Sequence, residues 1–417
     1  FFVSRISTSA SAAVGVSYSL MAMIQALGFT LGMGSGNYLS RVLGSRDEEK
    51  AERIASTGFY TAIFVGLVFA AICLPNLDLL VRLLGATDTI APYAKDYAKY
   101  ILMAAPVMTG ALSMNNLLRF QGLAVYSMIG ITTGGILNMI LDPIFIFALH
   151  MGVRGAALAT ILSQACSCIW CIYFLLGKKT LLRIRKANLR SGLPLMPACV
   201  ALGLSAFIMQ STESIISMCF NSSLLKYGGD VAVGAMTILT SVMQFAMLPM
   251  QGIGQGAQPI MSFNYGAGKI DRVKKAFWLL LKVTFAYSTL IWLAVMIFPQ
   301  VFVGLFTSDA TLLVFTKTAL RIYMACVFLM GIQIACQMAF TSIGCAKESI
   351  LVAVTRKFIL LIPLIYIVPL IWRSNQTLAV YLAEPIADFF AVSFTVILFS
   401  IQFKKALEKA LESSAQA

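Results

Sequence analysis

Apolar runs of twenty or more residues recur along the whole chain, and each is long enough to cross roughly 30 Å of hydrocarbon as a helix. Eleven can be marked in the 417 residues, at about 9–33, 52–76, 91–117, 125–149, 155–177, 193–220, 232–257, 276–303, 312–341, 350–372 and 376–402. With 59% hydrophobic and 12% charged residues and a mean hydropathy of +0.87, the composition excludes a soluble globular domain. Nothing at Phe1 resembles a cleavable signal peptide, which would need a basic flank and a cleavage site.

The runs fall into two halves that repeat. Gly32, Gly34, Ser40 and Gly44 are matched without a gap by Gly254, Gly256, Ser262 and Gly266, an offset of 222 residues. Further on, Glu49 and Lys50 meet Asp271 and Arg272, Arg53 meets Lys275, Lys99 meets Arg321, and Gly122 meets Gly344. At that offset the run 193–220 needs a partner ahead of Phe1. The chain, which starts without Met, is therefore read as lacking most of a first transmembrane helix. The expected fold is an all-α polytopic membrane protein with twelve transmembrane helices in two six-helix lobes. An even number per lobe makes both lobes enter the membrane in the same direction, a parallel repeat about an axis along the membrane normal. The expected divisions are an N-terminal lobe over 1–177, a basic linker over 178–192, a C-terminal lobe over 193–403 and a short amphipathic surface tail over 404–417.

The net charge of +14 raises nucleic acid as a partner, but its placement argues otherwise. With the segment 178–190 placed inside, 21 of the 31 Lys and Arg fall on the inner side, Arg356 and Lys357 counted among them; Lys282 lies within a helix. That is the positive-inside asymmetry, so the charge reports topology, with the 178–190 loop and the C-terminus in the cytoplasm. Six of the 13 residues of 178–190 are basic and none is acidic, so this segment is expected along the anionic inner leaflet.

Catalytic chemistry finds no support. The chain has one His, no nucleophile motif and no phosphate-binding loop. Cys166, Cys168 and Cys171, at i, i+2 and i+5 of one helix, point in three directions and suit packing rather than a tetrahedral metal. Small residues at Gly130, Gly134, Gly135 and over Gly155–Thr160 let helices approach closely in lipid. Pro106, Pro143, Pro249, Pro259, Pro363 and Pro385 interrupt helix hydrogen bonding inside apolar runs and permit kinks.

Acids inside the runs are few, and each calls for a partner or a role because a mid-bilayer charge costs about 2.5–3.5 kcal/mol. Asn138 and Asp142 share one helix face four residues apart, and Thr160 on the next helix can add a hydroxyl. Carboxylate, amide oxygen and hydroxyl suit a hard cation such as Na⁺, or a proton. The bland alternative is that Asp142 and Pro143 shape a helix break. Glu213 stands mid-helix beside Gln210, as a site for protonation or for a cationic substrate, or as a buried structural acid. Glu384 and Asp388, one turn apart around Pro385, either attract cations from a cleft or pair with Arg356 or Lys357. Met236, Met243, Met247 and Met250 run along one helix beside Gln244 and Phe245; flexible thioethers suit flat amphiphiles, with ordinary packing as the alternative. Arg41, Arg119 and His150 read as interfacial residues.

Taken in order, several segments resemble one family. Ser40-Arg41-Val42-Leu43-Gly44, Leu118-Arg119-Phe120-Gln121-Gly122, Asn138 to Pro143, Gly152 to Thr160, Gly252 to Pro259 and Asn264 to Gly268 are similar to the signatures of multidrug and toxic compound extrusion (MATE) transporters. The resemblance covers the whole chain. It implies two lobes around a central cleft in the cytoplasmic membrane of a bacterium, acting as a monomer. It also implies antiport of organic cations or amphiphilic drugs against Na⁺ or H⁺, with no cofactor beyond that coupling ion. By the same resemblance Asn138, Asp142 and Thr160 belong to an N-lobe cation site that also uses an Asp on the first helix, a position ahead of Phe1. Glu213 matches a C-lobe acid whose usual Asp partner on the tenth helix is absent here, where Gln333 and Gln337 stand instead. The expected substrate contacts are Gln210, Met243, Met247, Gln333, Gln337, Glu384 and Asp388. A precursor flippase of the same superfamily is the alternative; it would need Arg in the cleft to hold pyrophosphate, and the runs are poor in Arg.

Overall fold

The computed structural model describes residues 3, 8–177, 180, 182–307 and 309–415, and no strand occurs among them. Backbone groups in hydrocarbon have no water to bond, so a chain this apolar satisfies them within helices. The order is α1 (Thr8–Gly44), α2 (Glu48–Cys73), short α3 (Leu77–Leu83), α4 (Ala91–Phe120), α5 (Ala124–Pro143), α6 (Gly152–Leu176) and short α7 (Asn188–Gly192). Then come α8 (Met196–Gly266), α9 (Ile270–Ile297), short α10 (Pro299–Gly304), α11 (Ala310–Tyr323), α12 (Val327–Ile343), α13 (Ala346–Val354), α14 (Ile362–Ile371) and α15 (Gln376–Ala415). Wider π turns extend α5 over Ile144–Ala148 and join α13 to α14 over Thr355–Leu361.

Nine helices among the described residues are long and apolar enough to cross a membrane, or ten with α11 and α12, bent by 45°, taken as one span. The 71 residues of α8 would reach about 105 Å as one rod, far beyond a bilayer. The break is at Gly229, whose φ of 64° and ψ of −160° lie outside the helical region. α8 thus supplies both of the apolar runs at 193–220 and 232–257.

The 222-residue repeat is present in the geometry as well as the letters. Helix starts recur at Glu48 and Ile270, at Leu77 and Pro299, and at Ala124 and Ala346. Left-handed backbone recurs at Arg46 and Gly268, and at Gly122 and Gly344. Even one interhelical hydrogen bond is repeated with its donor exchanged. Thr109 donates to the Ala62 carbonyl at 2.7 Å, and Thr284 donates to the Gly331 carbonyl at 2.9 Å, across equivalent positions.

Two compact units make up the chain, Phe1–Ser211 and Thr212–Ala417, with the boundary inside α8. The sequence placed the division at the linker. The start of α8 belongs to the first unit because it packs backbone to backbone on α1: a Cβ on Gly203 would stand 1.8 Å from the Thr30 carbonyl oxygen, and one on Gly34 would stand 1.9 Å from that of Cys199. In the second unit the core gathers Phe220, Leu224, Leu239, Tyr323, Ile365 and Tyr381, and the Tyr381 hydroxyl donates to the Ala232 carbonyl at 2.6 Å.

Two expected segments gain detail and one expectation changes. The linker's backbone is docked on α2: Leu182 is buried, Arg185 N–H donates to Ser56 Oγ at 3.0 Å, and Thr57 Oγ1 donates to the Asn188 carbonyl at 3.3 Å. Its basic side chains Arg183, Arg185, Lys186 and Arg190 remain exposed, while Lys178 and Lys179 lie outside the described residues. The tail is an amphipathic helical extension of α15, which runs to Ala415 with Leu407 and Ala410 buried and the Tyr265 hydroxyl donating to the Ala406 carbonyl. Last, Arg356 and Lys357 do not belong to an inner loop. They sit midway along the span Ala346–Ile371 and are both buried.

Candidate functional site

In the first unit α5 and α6 pack through small residues. A Cβ on Gly134 would come within 2.1 Å of Ser167 Oγ, and Ser167 donates to the Gly130 carbonyl at 2.8 Å. This approach brings the last turn of α5 beside the second turn of α6. Asn138 Nδ2 then lies 3.5 Å from Asp142 Oδ1 and 3.5 Å from Thr160 Oγ1. All three side chains are half-buried, and they form part of the wall of a cavity of about 790 Å³ together with Tyr18, Met21 and Tyr97. The Tyr97 hydroxyl from α4 reaches Thr160 and also faces Met21 Sδ at 3.6 Å. Sequence reasoning did not include Tyr97, which lies inside an apolar run with no motif or spacing to single it out.

Asp142 does shape a break: Pro143 and the π turn follow it directly, and His150 beyond adopts a φ of 55°. The break and the site are the same feature. The π turn stops the helix from covering the carboxylate and leaves it at the cavity wall. The donor set fits a hard monovalent cation or a proton. A carboxylate, an amide whose oxygen and nitrogen exchange by a simple flip, and two hydroxyls surround the point between Asn138 and Thr160. Next to Tyr97 in sequence, Asp96 is held by Arg154 in a two-pronged bridge at 3.0 and 3.1 Å.

The second unit gathers a charged cluster from three helices. Arg356 and Lys357 lie in the π turn between α13 and α14, just ahead of Pro363, whose missing N–H leaves the Ile359 carbonyl without its usual helix partner. Adjacent helical residues point about 100° apart, so the two cations diverge. Arg356 turns to α15, where it meets Asp388 Oδ1 at 2.8 Å and Glu384 Oε1 at 3.1 Å. Lys357 turns to α8, where Nζ donates to Glu213 Oε1 at 2.6 Å. The partners differ in exposure. Arg356, Glu384 and Asp388 are all buried, whereas Glu213 keeps 63% of its side-chain surface accessible against 5% for Lys357. Asp388 Oδ2 is buried with no hydrogen-bond partner among the described residues. Tyr323 and Cys326 stand nearby, facing the carboxylates.

The expected substrate contacts divide accordingly. Gln210 is exposed, and Met243 and Met247 are half-buried beside exposed Gln244 and Phe245, while Met236 and Met250 at the ends of the stripe are core. Glu384 and Asp388 are not open to a substrate; they are the partners of Arg356. Gln333 and Gln337 are buried too, and Gln337 Nε2 donates to Ser349 Oγ at 2.6 Å, tying α12 to α13. Gln333 Oε1 is buried with no hydrogen-bond partner among the described residues.

Comparison with known proteins is consistent across sequence and structure. The chain is 25% identical over 398 residues to the multidrug export protein MepA of Staphylococcus haemolyticus (strain JCSC1435), covering 95% of this chain and 87% of that one. It is 27% identical over 357 residues to MepA of Staphylococcus aureus (strain N315), covering 85% and 78%. Among solved structures it resembles a MATE in complex with MaD3S, with a TM-score of 0.91, 25% identity, and 98% and 91% of the two chains covered. It likewise resembles an outward-facing multidrug resistance MATE family transporter of the MOP superfamily, with a TM-score of 0.89, 25% identity, and 98% and 91% covered. The MatE family profile matches residues 1–144 and 205–367, most of the chain, so this protein belongs to the MatE family of transporters.

Proposed function

We propose that this MATE transporter exports organic cations and amphiphilic drugs from a bacterial cell by antiport against inward H⁺ or Na⁺, through alternating access of its two halves. The observation that carries the reading is the Asn138–Asp142–Thr160 group on the wall of the 790 Å³ cavity. A half-buried carboxylate with hydroxyl and amide neighbours, and no basic partner in hydrogen-bond reach among the described residues, is suited to take up and release a small cation. The multidrug export proteins to which the chain is similar support the substrate class. So does the exposed carboxylate of Glu213, with Gln210, Met243 and Met247 as further contacts. No cofactor is needed beyond the coupling ion, the monomer is the working unit, and the 178–190 segment and C-terminus lie in the cytoplasm.

The flippase alternative asks for Arg free to hold pyrophosphate. Arg356 and Lys357 are basic and mid-span, but each is already held by acids of its own unit, which favours the exporter.

The test is ethidium efflux from cells expressing the full-length protein at matched levels. Asp142→Asn should reduce efflux at least tenfold, since an amide neither holds a proton nor balances Na⁺; loss of efflux on withdrawing Na⁺ would name Na⁺ as the ion. Efflux by Asp142→Asn equal to wild type would remove Asp142 from the coupling site.

A further inference from the structure

The charged cluster of the second unit does not balance. Glu213, Glu384 and Asp388 can supply three negative charges, and Arg356 and Lys357 supply two positive ones. The surplus falls in the most deeply buried part, where one guanidinium serves two carboxylates and Asp388 Oδ2 has no hydrogen-bond partner among the described residues. Two carboxylates sharing one counter-ion away from water do not both stay ionised, so a proton resides on one of them. The cluster is then neutral as two subsets: Lys357⁺ with Glu213⁻, and Arg356⁺ with one carboxylate and one carboxylic acid.

The two subsets are joined through neighbouring residues of one π turn. Lys357 is buried and next in sequence to Arg356, yet its ammonium is spent on Glu213, the one acid of the cluster that is widely accessible. An organic cation reaching Glu213 competes with Lys357 for the same carboxylate.

We propose that Lys357 is a switching counter-ion, which a cationic substrate displaces from Glu213 toward the Glu384–Asp388 pair, expelling the proton held there. This rests on the export reading above and adds to it a second proton site. The charges balance at each stage. Before binding, Glu213⁻·Lys357⁺ stands beside Arg356⁺, one carboxylate and one carboxylic acid. Afterwards Glu213⁻ is paired with the substrate cation, and Lys357⁺ and Arg356⁺ face two carboxylates. One cation enters, one O–H bond breaks, and one proton leaves to solvent, with no redox step. The other titratable groups beside the pair among the described residues are Tyr323 from α11 and Cys326 beyond it, and neither takes part in the exchange.

The exchange is measured with purified full-length protein in weakly buffered detergent solution, by titrating tetraphenylphosphonium and following a pH dye, with binding recorded separately by calorimetry. Asp142→Asn is the background, so that the first unit's site does not contribute. In that background about one proton should appear per bound cation. Lys357→Gln should bind tetraphenylphosphonium at least as tightly as its parent, having lost the internal competitor, and release none. Glu384→Gln, which keeps the pair at a single negative charge, should also bind without release, and it keeps the test available if Lys357→Gln does not fold. A purely structural Lys357 would instead weaken binding and leave the proton stoichiometry of the bound fraction unchanged; that result would overturn the switch. Binding without any proton release in the Asp142→Asn background would overturn it too, leaving the export reading intact. Absence of binding by wild-type protein would overturn the export reading and the switch together.

Discussion

Arg356 shows how much a single side chain can hold in an apolar interior. It bonds two acids of α15 at 2.8 and 3.1 Å with all three groups shut away from water. Cutting one member of a buried ion cluster strands the others. Arg356→Ala should therefore cost about 3–5 kcal/mol, read as a large fall in melting temperature of the purified protein. Lys357→Ala should cost much less, because its partner Glu213 is not enclosed by protein as Glu384 and Asp388 are. Equal losses for the two would mean that burial does not separate the pairs as described. The neighbours Arg356 and Lys357 also mark where sequence reading fell short. Counting charges by segment drew both toward an inner loop; the pairing of Arg356 with Glu384 and Asp388 stood among the open alternatives, whereas that of Lys357 with Glu213, 144 residues away, did not. Asp142, Asn138 and Thr160 were legible for the opposite reason: two share a helix face, and the third follows 22 residues later on the next helix.

At the level of elements, hydropathy located the spans well, because a helix of about twenty apolar residues is the only economical way through hydrocarbon. It located breaks poorly. α8 continues as helix through the loop expected between 220 and 232 and turns only at Gly229. Nothing lies within 4 Å of a Cβ built there, so the constraint is the backbone alone. Gly229→Ala forces a side chain into a φ of 64° and should cost about 1–2 kcal/mol, seen as a lower melting temperature. Gly256→Ala makes the opposite case. It is a helix-interior site with open space, and the same change should stabilise by about 0.5–1 kcal/mol. If Gly229→Ala melts no lower than wild type, the break at this residue is not what bends α8. Tail and linker carry the exposed charges their composition suggests, and both are also held by tertiary bonds that composition does not encode.

For the molecule as a whole, the duplicated halves have diverged in chemistry while keeping their frame. Helix starts, left-handed turns and an interhelical hydrogen bond recur at 222 residues, yet the position matching Asp142 is Leu364, and the first unit has no counterpart to Arg356 and Lys357, where Gly134 and Gly135 stand. One half presents a carboxylate to a cavity; the other surrounds its acids with bases. Equal frames with unequal charge suit the proposed exchange, in which ion and organic cation are coupled through conformations that each favours differently. The most direct measurement is ethidium transport by full-length protein in sealed liposomes with H⁺ or Na⁺ gradients imposed one at a time. Gradient-driven movement of ethidium opposite to the ion, collapsing when the gradient is dissipated, is the predicted result. Transport at an unchanged rate with neither gradient present would contradict antiport and, with it, the roles assigned to both halves.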